Sequence, residues 1–410
     1  MRNDRPFLPG YAVFAAMLAS AGLPIYIHAP KFYVDNYGVS LAALGTVLFG
    51  LRLLDVVQDP VLGWLSERAR NRRRMLVAVA AAVLGLSMVG LFAVEPPVAP
   101  LLWFGLMLTG LFSAFSFLTI CFYAQGVRTA GTMGASGHTK LAGWRETGAL
   151  LGVSVAAVAP TVLAAMSGSP FALFAAGFVG LVILGAAGMW REWRAAAAPS
   201  EASFRDVLSD GVSRRLLLIA FVNATPVAVS STLFLFFVES RLDAPGWEGV
   251  LLLLFFIAAA ISAPFWSLAA ARFGAKNTLL AGMVLAIVAF AGAIFLGSGD
   301  VAAFAVVCFA SGAALGADMT LLPAIFARRM ARVAPDAGQA FGLWSFVSKL
   351  TLAFAAVTLL PLLEASGFSS GAETNPPAAL TMLTILYALV PCALKLIAIA
   401  LLAATPLKET

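Results

Sequence analysis

Three charged residues, Arg52, Asp55 and Asp59, lie inside the otherwise apolar stretch LRLLDVVQDPVLGWLSER. On a helix with 100° between residues, they fall with Gly63 within an arc of about 80°, whereas Gln58 lies off that arc. A charge at the centre of a bilayer costs roughly 2.5–3.5 kcal/mol. If this stretch spans a membrane, the three charges are therefore expected to face the protein interior or a water-filled cavity.

The two acids point to cation chemistry. Two carboxylates one turn apart resist joint ionisation unless a cation sits between them. Hard cations such as Na⁺ prefer oxygen ligands, and the same pair can share a proton. The spacing therefore favours a cation or proton site at Asp55 and Asp59, with Arg52 as a neighbouring counter-ion. A purely structural ion pair with Arg52 is the alternative.

The composition indicates a membrane around these charges. Hydrophobic residues make up 61% of the 410-residue chain, charged residues 11%, and the mean hydropathy is +0.95. A soluble protein carries about 25% charged residues. Twelve apolar runs of about 20 residues are long enough to cross a bilayer. They lie near residues 11–29, 41–66, 75–94, 100–124, 143–166, 171–190, 216–240, 247–270, 277–298, 301–327, 340–363 and 378–404.

The basic residues predict the orientation. With both termini cytoplasmic, the inside segments hold 21 Lys and Arg and the outside loops hold 2. This distribution follows the positive-inside rule and accounts for the pI of about 9.5 without a nucleic-acid partner. We therefore expect a multi-pass protein of the cell inner membrane, with the first apolar run retained as a spanning helix.

A weak internal repeat predicts two related halves. A proline and two basic residues recur with an offset of 204 positions, as Pro60, Arg68 and Arg72 and again as Pro264, Arg272 and Lys276. We expect an all-α fold of two pseudo-symmetric six-helix bundles, 1–190 and 216–410, joined by a cytoplasmic linker, 191–215. The charged trio is absent from the second half, where the offset gives Phe256, Ala259 and Ala263. This difference favours a functional role for the trio.

Three other charged residues fall within predicted spans. Asp318 is a candidate for a second proton or substrate site, or for a salt bridge with a facing lysine. Lys349 lies near mid-depth, from where its side chain cannot easily reach the interface. Lys395 is nearer its helix end, where its stem can reach the interface, and is read as structural.

Further side chains could line a polar cavity. Arg145 opens the fifth span and is expected to reach the cavity, whereas Glu146 is expected at the interface. Tyr123, Trp344 and Ser345 could stack on or hydrogen-bond to a polar ligand. Packing between helices or an interfacial aromatic belt is the alternative for the aromatic residues.

The charged stretch resembles the second-helix signature of the glycoside–pentoside–hexuronide:cation symporters, a family within the major facilitator superfamily. The pattern is filled by Arg52, Asp55, Asp59, Pro60, Gly63 and Glu67. KLAGWRETGALLG and GLWSFVSKLTLAFA are similar to the family's fifth and eleventh helices, with Arg145 and Lys349 at characteristic positions. The resemblance implies that Asp55 and Asp59 hold Na⁺, Li⁺ or H⁺, and that Lys349 and Arg52 compensate their charge.

The segment GWLSERARNRRR resembles the superfamily loop that latches the cytoplasmic gate. The resemblance implies a gating role for Gly63, Glu67 and Arg68. Melibiose-permease-like members also grip sugar hydroxyls with acids on the first and fourth helices. Here those positions hold Ala19 and, in a looser alignment, Thr119, so Thr119 is a cavity candidate without the acid. Asp318 could partly replace the missing negative charge.

The leading interpretation is a cation-coupled symporter that moves a small solute, a sugar or glycoside, by alternating access. The alternative is a carrier of lysolipid or another amphiphile, or an efflux carrier, on the same fold. An enzyme would need a His–Asp pair, a metal cluster or a nucleotide loop, and the sequence contains none of these patterns. We expect no cofactor and no metal beyond a possible Na⁺. The expected partners are the solute, a monovalent cation and the bilayer, and the protein is predicted to be monomeric.

Overall fold

The computed structural model describes residues 6–39, 41–68, 70–134, 136–164, 166–193, 204–334, 338–368 and 375–407. Of the described residues, 87% are helical and none lies in a strand. The helices of the first half are α1 (Leu8–Ser20), α2 (Leu23–Tyr37), α3 (Leu41–Arg68), α4 (Arg73–Phe92), α5 (Pro100–Gly131), α6 (Gly137–Ala164) and α7 (Pro170–Met189).

A short helix and the helices of the second half follow. They are α8 (Phe204–Ser209), α9 (Gly211–Phe236), α10 (Glu248–Phe273), α11 (Ala275–Gly292), α12 (Val301–Val333), α13 (Gly338–Ala365), α14 (Pro377–Thr384) and α15 (Val390–Ala403). Two π-helical segments, Phe237–Arg241 and Ile385–Leu389, continue α9 and join α14 to α15.

Each predicted span coincides with helical structure. Within the described residues, nine helical segments are long and apolar enough to cross a membrane. The other three predicted spans coincide with α1 and α2, with α3 and with α13. The all-α, multi-span fold class predicted from composition is therefore confirmed.

The first predicted span, 11–29, is not one continuous helix. α1 ends at Ser20, and α2 begins at Leu23. Gly22 lies in the break and Pro24 in the first turn of α2. Proline is tolerated in a first turn because its missing N–H would have no helical partner there. The interruption was not predicted, because the apolar run itself continues across it.

The chain forms two compact units. The first contains the described residues up to Val207 together with Ala327–Phe346, and the second contains Leu208–Phe326 together with the described residues from Val347 onward. The start of α13 therefore belongs to the first unit. The predicted boundaries at 190 and 216 remain predictions.

Small residues let helices of the first unit approach closely. Gly148 and Gly152 lie one turn apart on α6, and a Cβ at Gly148 would overlap the carbonyl oxygen of Ala12 on α1. A Cβ at Gly152 would come within 2.5 Å of the carbonyl oxygen of Ala16. Packing through small residues one turn apart is typical of helices in lipid, where van der Waals contact drives association.

The predicted linker contains a helix, α8. Val207 is buried, whereas Leu208 is 44% exposed. Residues 194–203 of the linker lie outside the described residues.

Candidate functional site

The two acids of α3 are buried within the first unit. Asp55 is 3% exposed and Asp59 is fully buried. Helix α3 continues without interruption through Pro60. Proline has no N–H, so the carbonyl oxygen of residue 56 lacks its usual helical hydrogen bond. That carbonyl lies in the same turn as the two carboxylates, so three oxygen-bearing groups come from one short segment.

Asp55 is held by a chain of polar side chains. Gln58 Nε2 donates to Asp55 Oδ1 at 2.8 Å, and Ser113 Oγ of α5 donates to Gln58 Oε1 at 2.9 Å. Helical angles alone placed Gln58 off the charged arc, but its long side chain reaches back across one turn. Gln58 therefore belongs to the site, which helical spacing did not predict.

Asp59 meets a residue from the far end of the chain. Ser345 Oγ of α13 donates to Asp59 Oδ2 at 2.6 Å. The two residues are 286 positions apart, and both belong to the first unit. This contact joins a predicted cation residue to a predicted cavity residue. Trp344, the neighbour of Ser345, is partly buried.

The predicted compensating charges are less well defined. The side chain of Arg52 lies outside the described residues, so its role remains a prediction. Lys349 is partly buried on α13 and belongs to the second unit. Within the described residues, no three His, Cys, Asp or Glu side chains come together as a metal site would require.

A second polar cluster lies where α5 meets α6. Arg145 Nε donates to Glu146 Oε1 at 2.7 Å, and the hydroxyl of Tyr123 donates to the same oxygen at 3.2 Å. The Arg145 guanidinium lies 3.9 Å from the centroid of the Tyr123 ring, a cation–π distance. Glu146 is only 2% exposed, so the expectation that it lies at the interface is wrong. The two charges can be buried together because each has an opposite charge within hydrogen-bonding distance.

Parts of this cluster have hydrogen-bonding capacity to spare. Nη2 of Arg145 and Oγ1 of Thr119 are buried and have no partner among the described residues. Thr119 and Tyr123 lie one turn apart and share one face of α5. An unpaired buried donor costs about 1–3 kcal/mol. These groups are therefore prepared for a polar ligand in a way that a fully satisfied cluster is not.

The predicted gate residues meet the start of α13. Glu67 Oε1 accepts from the backbone N–H of Gln339, and Oε2 accepts from its side-chain amide, both at 2.7 Å. The carboxylate therefore lies at a helix N-terminus, where the helix dipole favours a negative charge. A Cβ at Gly63 would come within 2.9 Å of the carbonyl oxygen of Gly338, so only glycine fits. Arg68 is exposed, and its guanidinium lies 5.2 Å from the ring of Trp64 on its own helix.

Asp318 lies in the second unit with a partner that the sequence did not identify. Lys395 Nζ donates to Asp318 Oδ2 and, at 2.6 Å, to Asn223 Oδ1. Lys395 is 1% exposed, so the expectation that it reaches the interface is wrong. The sequence raised a salt bridge to a facing lysine as one reading of Asp318. Which lysine it would be depends on α12 packing against α15.

A family model described as MFS/sugar transport protein matches residues 8–409. The chain belongs to this family. The resemblance to the major facilitator superfamily drawn from the sequence is therefore confirmed. Because this is a family of transporters, the chain is a multi-pass membrane transporter and not an enzyme.

Solved structures of several transporters are similar to this chain. A bacterial homologue of the iron transporter ferroportin, in an outward-facing state, has a TM-score of 0.70 and 14% identity over 97% of this chain and 98% of its own. The human organic anion transporter TETRAN has a TM-score of 0.69 and 13% identity over 98% and 100%. The E. coli fucose:proton symporter has a TM-score of 0.63 and 15% identity over 96% and 98%.

Their descriptions name different cargoes: iron for ferroportin, of which the first structure is a bacterial homologue, organic anions for TETRAN, and fucose with a proton for the symporter. At 13–15% identity, they show that this MFS transporter shares their fold. Its solute has to be argued from its own residues.

Proposed function

We propose that this MFS transporter is a cation-coupled symporter that moves a small polar solute, a sugar or glycoside, by alternating access. The observation that carries the proposal is the buried pair Asp55 and Asp59 on α3, with Asp59 bonded to Ser345 of α13. Intramembrane carboxylates are costly and are functional candidates by default.

The groups around the acids suit a small monovalent cation. The carboxylates of Asp55 and Asp59 and the carbonyl of residue 56 supply oxygen atoms, whereas Gln58 presents its amide N–H to Asp55. Na⁺ and Li⁺ prefer such ligands, and the carboxylates can also take H⁺. Two carboxylates in one buried segment repel one another, so a cation between them relieves both the repulsion and part of the burial cost.

The hydrogen bond from Ser345 to Asp59 provides a contact between α3 and α13 that cation binding can break. The Ser345 hydroxyl donates to Asp59 Oδ2 at 2.6 Å, and we propose that a cation bound to this oxygen displaces that hydrogen bond. The hydroxyl and the cation therefore compete for the same carboxylate oxygen. Cation binding releases Ser345 and, with it, a tie between α3 and α13.

The same helix α13 touches the two other clusters. The ring of Phe341 lies 5.1 Å from that of Tyr123, and Gln339 holds Glu67. These contacts lie within about two turns of Ser345 along one helix. A shift of α13 that follows the release of Ser345 would reach both the solute cluster and the gate. By reciprocal linkage, solute binding would then raise cation affinity by the same factor.

The α5–α6 cluster suits a hydroxylated solute. Nη2 of Arg145 and Oγ1 of Thr119 are polar atoms with no hydrogen-bond partner among the described residues, and the ring of Tyr123 supplies a flat apolar surface. Small-molecule sites combine apolar walls with a few placed polar groups in this way. Ala19 and Thr119 stand where sugar-gripping acids were expected. Recognition here would therefore depend on Arg145 and hydroxyl groups.

The remaining predictions on location belong to the same proposal. The excess of Lys and Arg in alternate loops supports an inner-membrane protein with both termini cytoplasmic. We propose that it works as a monomer within the bilayer. A C-terminal fusion to a reporter that is active only in the cytoplasm tests the orientation, and native mass spectrometry from nanodiscs tests the oligomeric state.

The test is uptake into proteoliposomes with imposed Na⁺, Li⁺ or H⁺ gradients. Wild-type protein should accumulate a labelled glycoside against its gradient, and Asp59→Asn should abolish accumulation while solute binding survives. Arg145→Gln should instead weaken binding of the glycoside. Asp300→Asn, an exposed loop substitution, serves as the matched control and should behave as wild type. Uptake that is indifferent to every gradient and to Asp59 would refute the proposal.

A second candidate, transport of a lysolipid or another amphiphile, is favoured by an apolar groove between α3 and α5. Its volume is about 510 Å³, and its lining consists of Val47, Gly50, Leu51, Leu101, Leu102, Gly105, Leu106 and Thr109. Such a lining accommodates an acyl chain. The proteoliposome assay with fluorescent lysolipids distinguishes the two candidates, because only an amphiphile carrier would transport these lipids. Such a carrier would also lose activity when a larger side chain fills the groove, for example in Gly105→Leu.

A further inference from the structure

The second unit contains a buried ion pair that the proposed coupling through α3 does not use. Asn223, Asp318 and Lys395 come from α9, α12 and α15, and they are 3%, 8% and 1% exposed. Lys395 donates to both of the others. The second carboxylate oxygen of Asp318, Oδ1, is buried and has no partner among the described residues.

Stability is a weak explanation for this pair. Removing two charges from water is costly, and apolar replacement of a buried ion pair is often neutral or stabilising. A half-satisfied polar network is also worse than a fully satisfied one. Asp318 has one oxygen paired and one unpaired, so the site has a position that a proton can occupy.

The surrounding charges leave Asp318 as the single candidate acceptor. The described helices α9, α11, α12 and α15 carry no other carboxylate. Helix α10, which packs against α12 at Gly312 and Gly316, carries only Glu248, at its start, where it accepts from the backbone N–H of Gly246. The other charged groups on these helices are the cations Arg214 and Arg215 on α9, Arg272 on α10, Lys276 on α11, and Arg328, Arg329 and Arg332 on α12, and the titratable thiols are those of Cys308 and Cys392.

These cations lie near helix ends. Arg215 is ~12 Å from Asn223 and Arg328 ~15 Å from Asp318 by helix rise. Arg215 and Lys276 donate to carbonyl oxygens at the end of α15, those of Ala403, Ala404 and Thr405. Lys395 is therefore the ammonium group in contact with Asp318.

We propose that Asp318, Lys395 and Asn223 form a proton-binding site, separate from the acids of α3, that takes up and releases one proton during transport. A proton from water bonds to Oδ1 of Asp318, and the carboxylate becomes a neutral acid. Lys395 keeps its three protons and its bond to Asn223, so the net charge of the site rises from zero to +1. When the proton returns to water on the other side, the ion pair forms again.

The net charge of +1 is what would couple protonation to a change of conformation. A neutral ion pair can remain enclosed among apolar helices, whereas an uncompensated ammonium group is far more costly there. Protonation therefore favours a conformation in which Lys395 meets water or an anionic group. This inference does not require cation binding at Asp55 and Asp59.

The experiment is infrared difference spectroscopy of the full-length protein in nanodiscs between alkaline and acidic pH. Wild type should gain the carbonyl stretch of a protonated, buried carboxyl group on acidification. Asp318→Asn should lose one component of this band, whereas Asp59→Asn, which alters the α3 site alone, and the exposed-loop control Asp300→Asn should keep that component. Size-exclusion and thermal unfolding profiles check that each variant is folded. If Asp318→Asn does not fold, the charge-neutral double variant Asp318→Asn/Lys395→Gln takes its place.

A spectrum of the Asp318 variant that matches wild type would overturn the proposal, because no protonation of Asp318 would then accompany acidification. The Asp59 variant keeps the two proposals separable. It can abolish gradient-driven uptake without affecting the Asp318 component of the band, and that component can be missing in a transporter whose α3 site still couples.

Discussion

Replacing Ser345 with alanine tests the competition between its hydroxyl group and the cation. The substitution removes the donor that lies 2.6 Å from Asp59 Oδ2 and leaves a fully buried carboxylate with one fewer partner. A hydrogen bond to a charged group contributes about 1.5–3 kcal/mol. If the cation must displace this bond, its loss destabilises only the cation-free protein. Cation affinity should then rise roughly 10- to 100-fold, at a factor of ten for every 1.4 kcal/mol.

The assay is a titration of intrinsic tryptophan fluorescence with Na⁺ and Li⁺, and with pH for H⁺. Trp344 adjoins the substituted residue and is one of eight tryptophans, so its signal is identified by comparison with a Trp344→Phe background. Ser366→Ala is the matched control, because its hydroxyl donates to the nearby backbone carbonyl of Leu363 and should leave affinity unchanged. A dissociation constant in Ser345→Ala that equals or exceeds the wild-type value would refute the competition.

Two further substitutions test the contacts around the site. Glu67→Ala removes the carboxylate that accepts from the backbone N–H of Gln339 at the start of α13. Amide exchange at Gln339 should accelerate about tenfold for each 1.4 kcal/mol of hydrogen-bond and helix-dipole stabilisation lost. Hydrogen-exchange mass spectrometry measures this rate, and an unchanged rate would contradict the role of Glu67. Gly148→Val forces a side chain into α1 and should lower thermal stability by about 1–3 kcal/mol or prevent folding. Gly177→Val, where a Cβ meets nothing within 4 Å, is its control, and equal stability of the two variants would refute the packing argument.

The sequence was sufficient for properties that depend on local composition. A run of about 20 apolar residues spans a bilayer whatever its neighbours, so the positions of the helices could be predicted. The burial of Asp55 and Asp59 was predictable for a similar reason, since the cost of a charge in lipid does not depend on which protein groups surround it. The break between α1 and α2 is a local feature that the apolar pattern concealed.

The partners of these residues could not be read from the sequence. Ser345 reaches Asp59 across 286 positions, and Lys395 reaches Asp318 across 77. Helical periodicity fixes which residues share a face of one helix, but it does not fix which helix that face meets. Glu146 and Lys395 were assigned to the interface because their helix ends are close, yet both are buried against opposite charges.

The sequence alone therefore determined that the protein lies in a lipid bilayer and where its helical spans run. It also determined that some spans contain ionisable groups that need a polar or charged partner. Tertiary structure alone decided the partners that come from other helices: Ser345 for Asp59 and Lys395 for Asp318. The physical reason is that the two kinds of property depend on different parts of the chain. Transfer into a membrane is a property of a segment, whereas a hydrogen bond requires two atoms within about 3 Å, and only the packing of helices brings those atoms together.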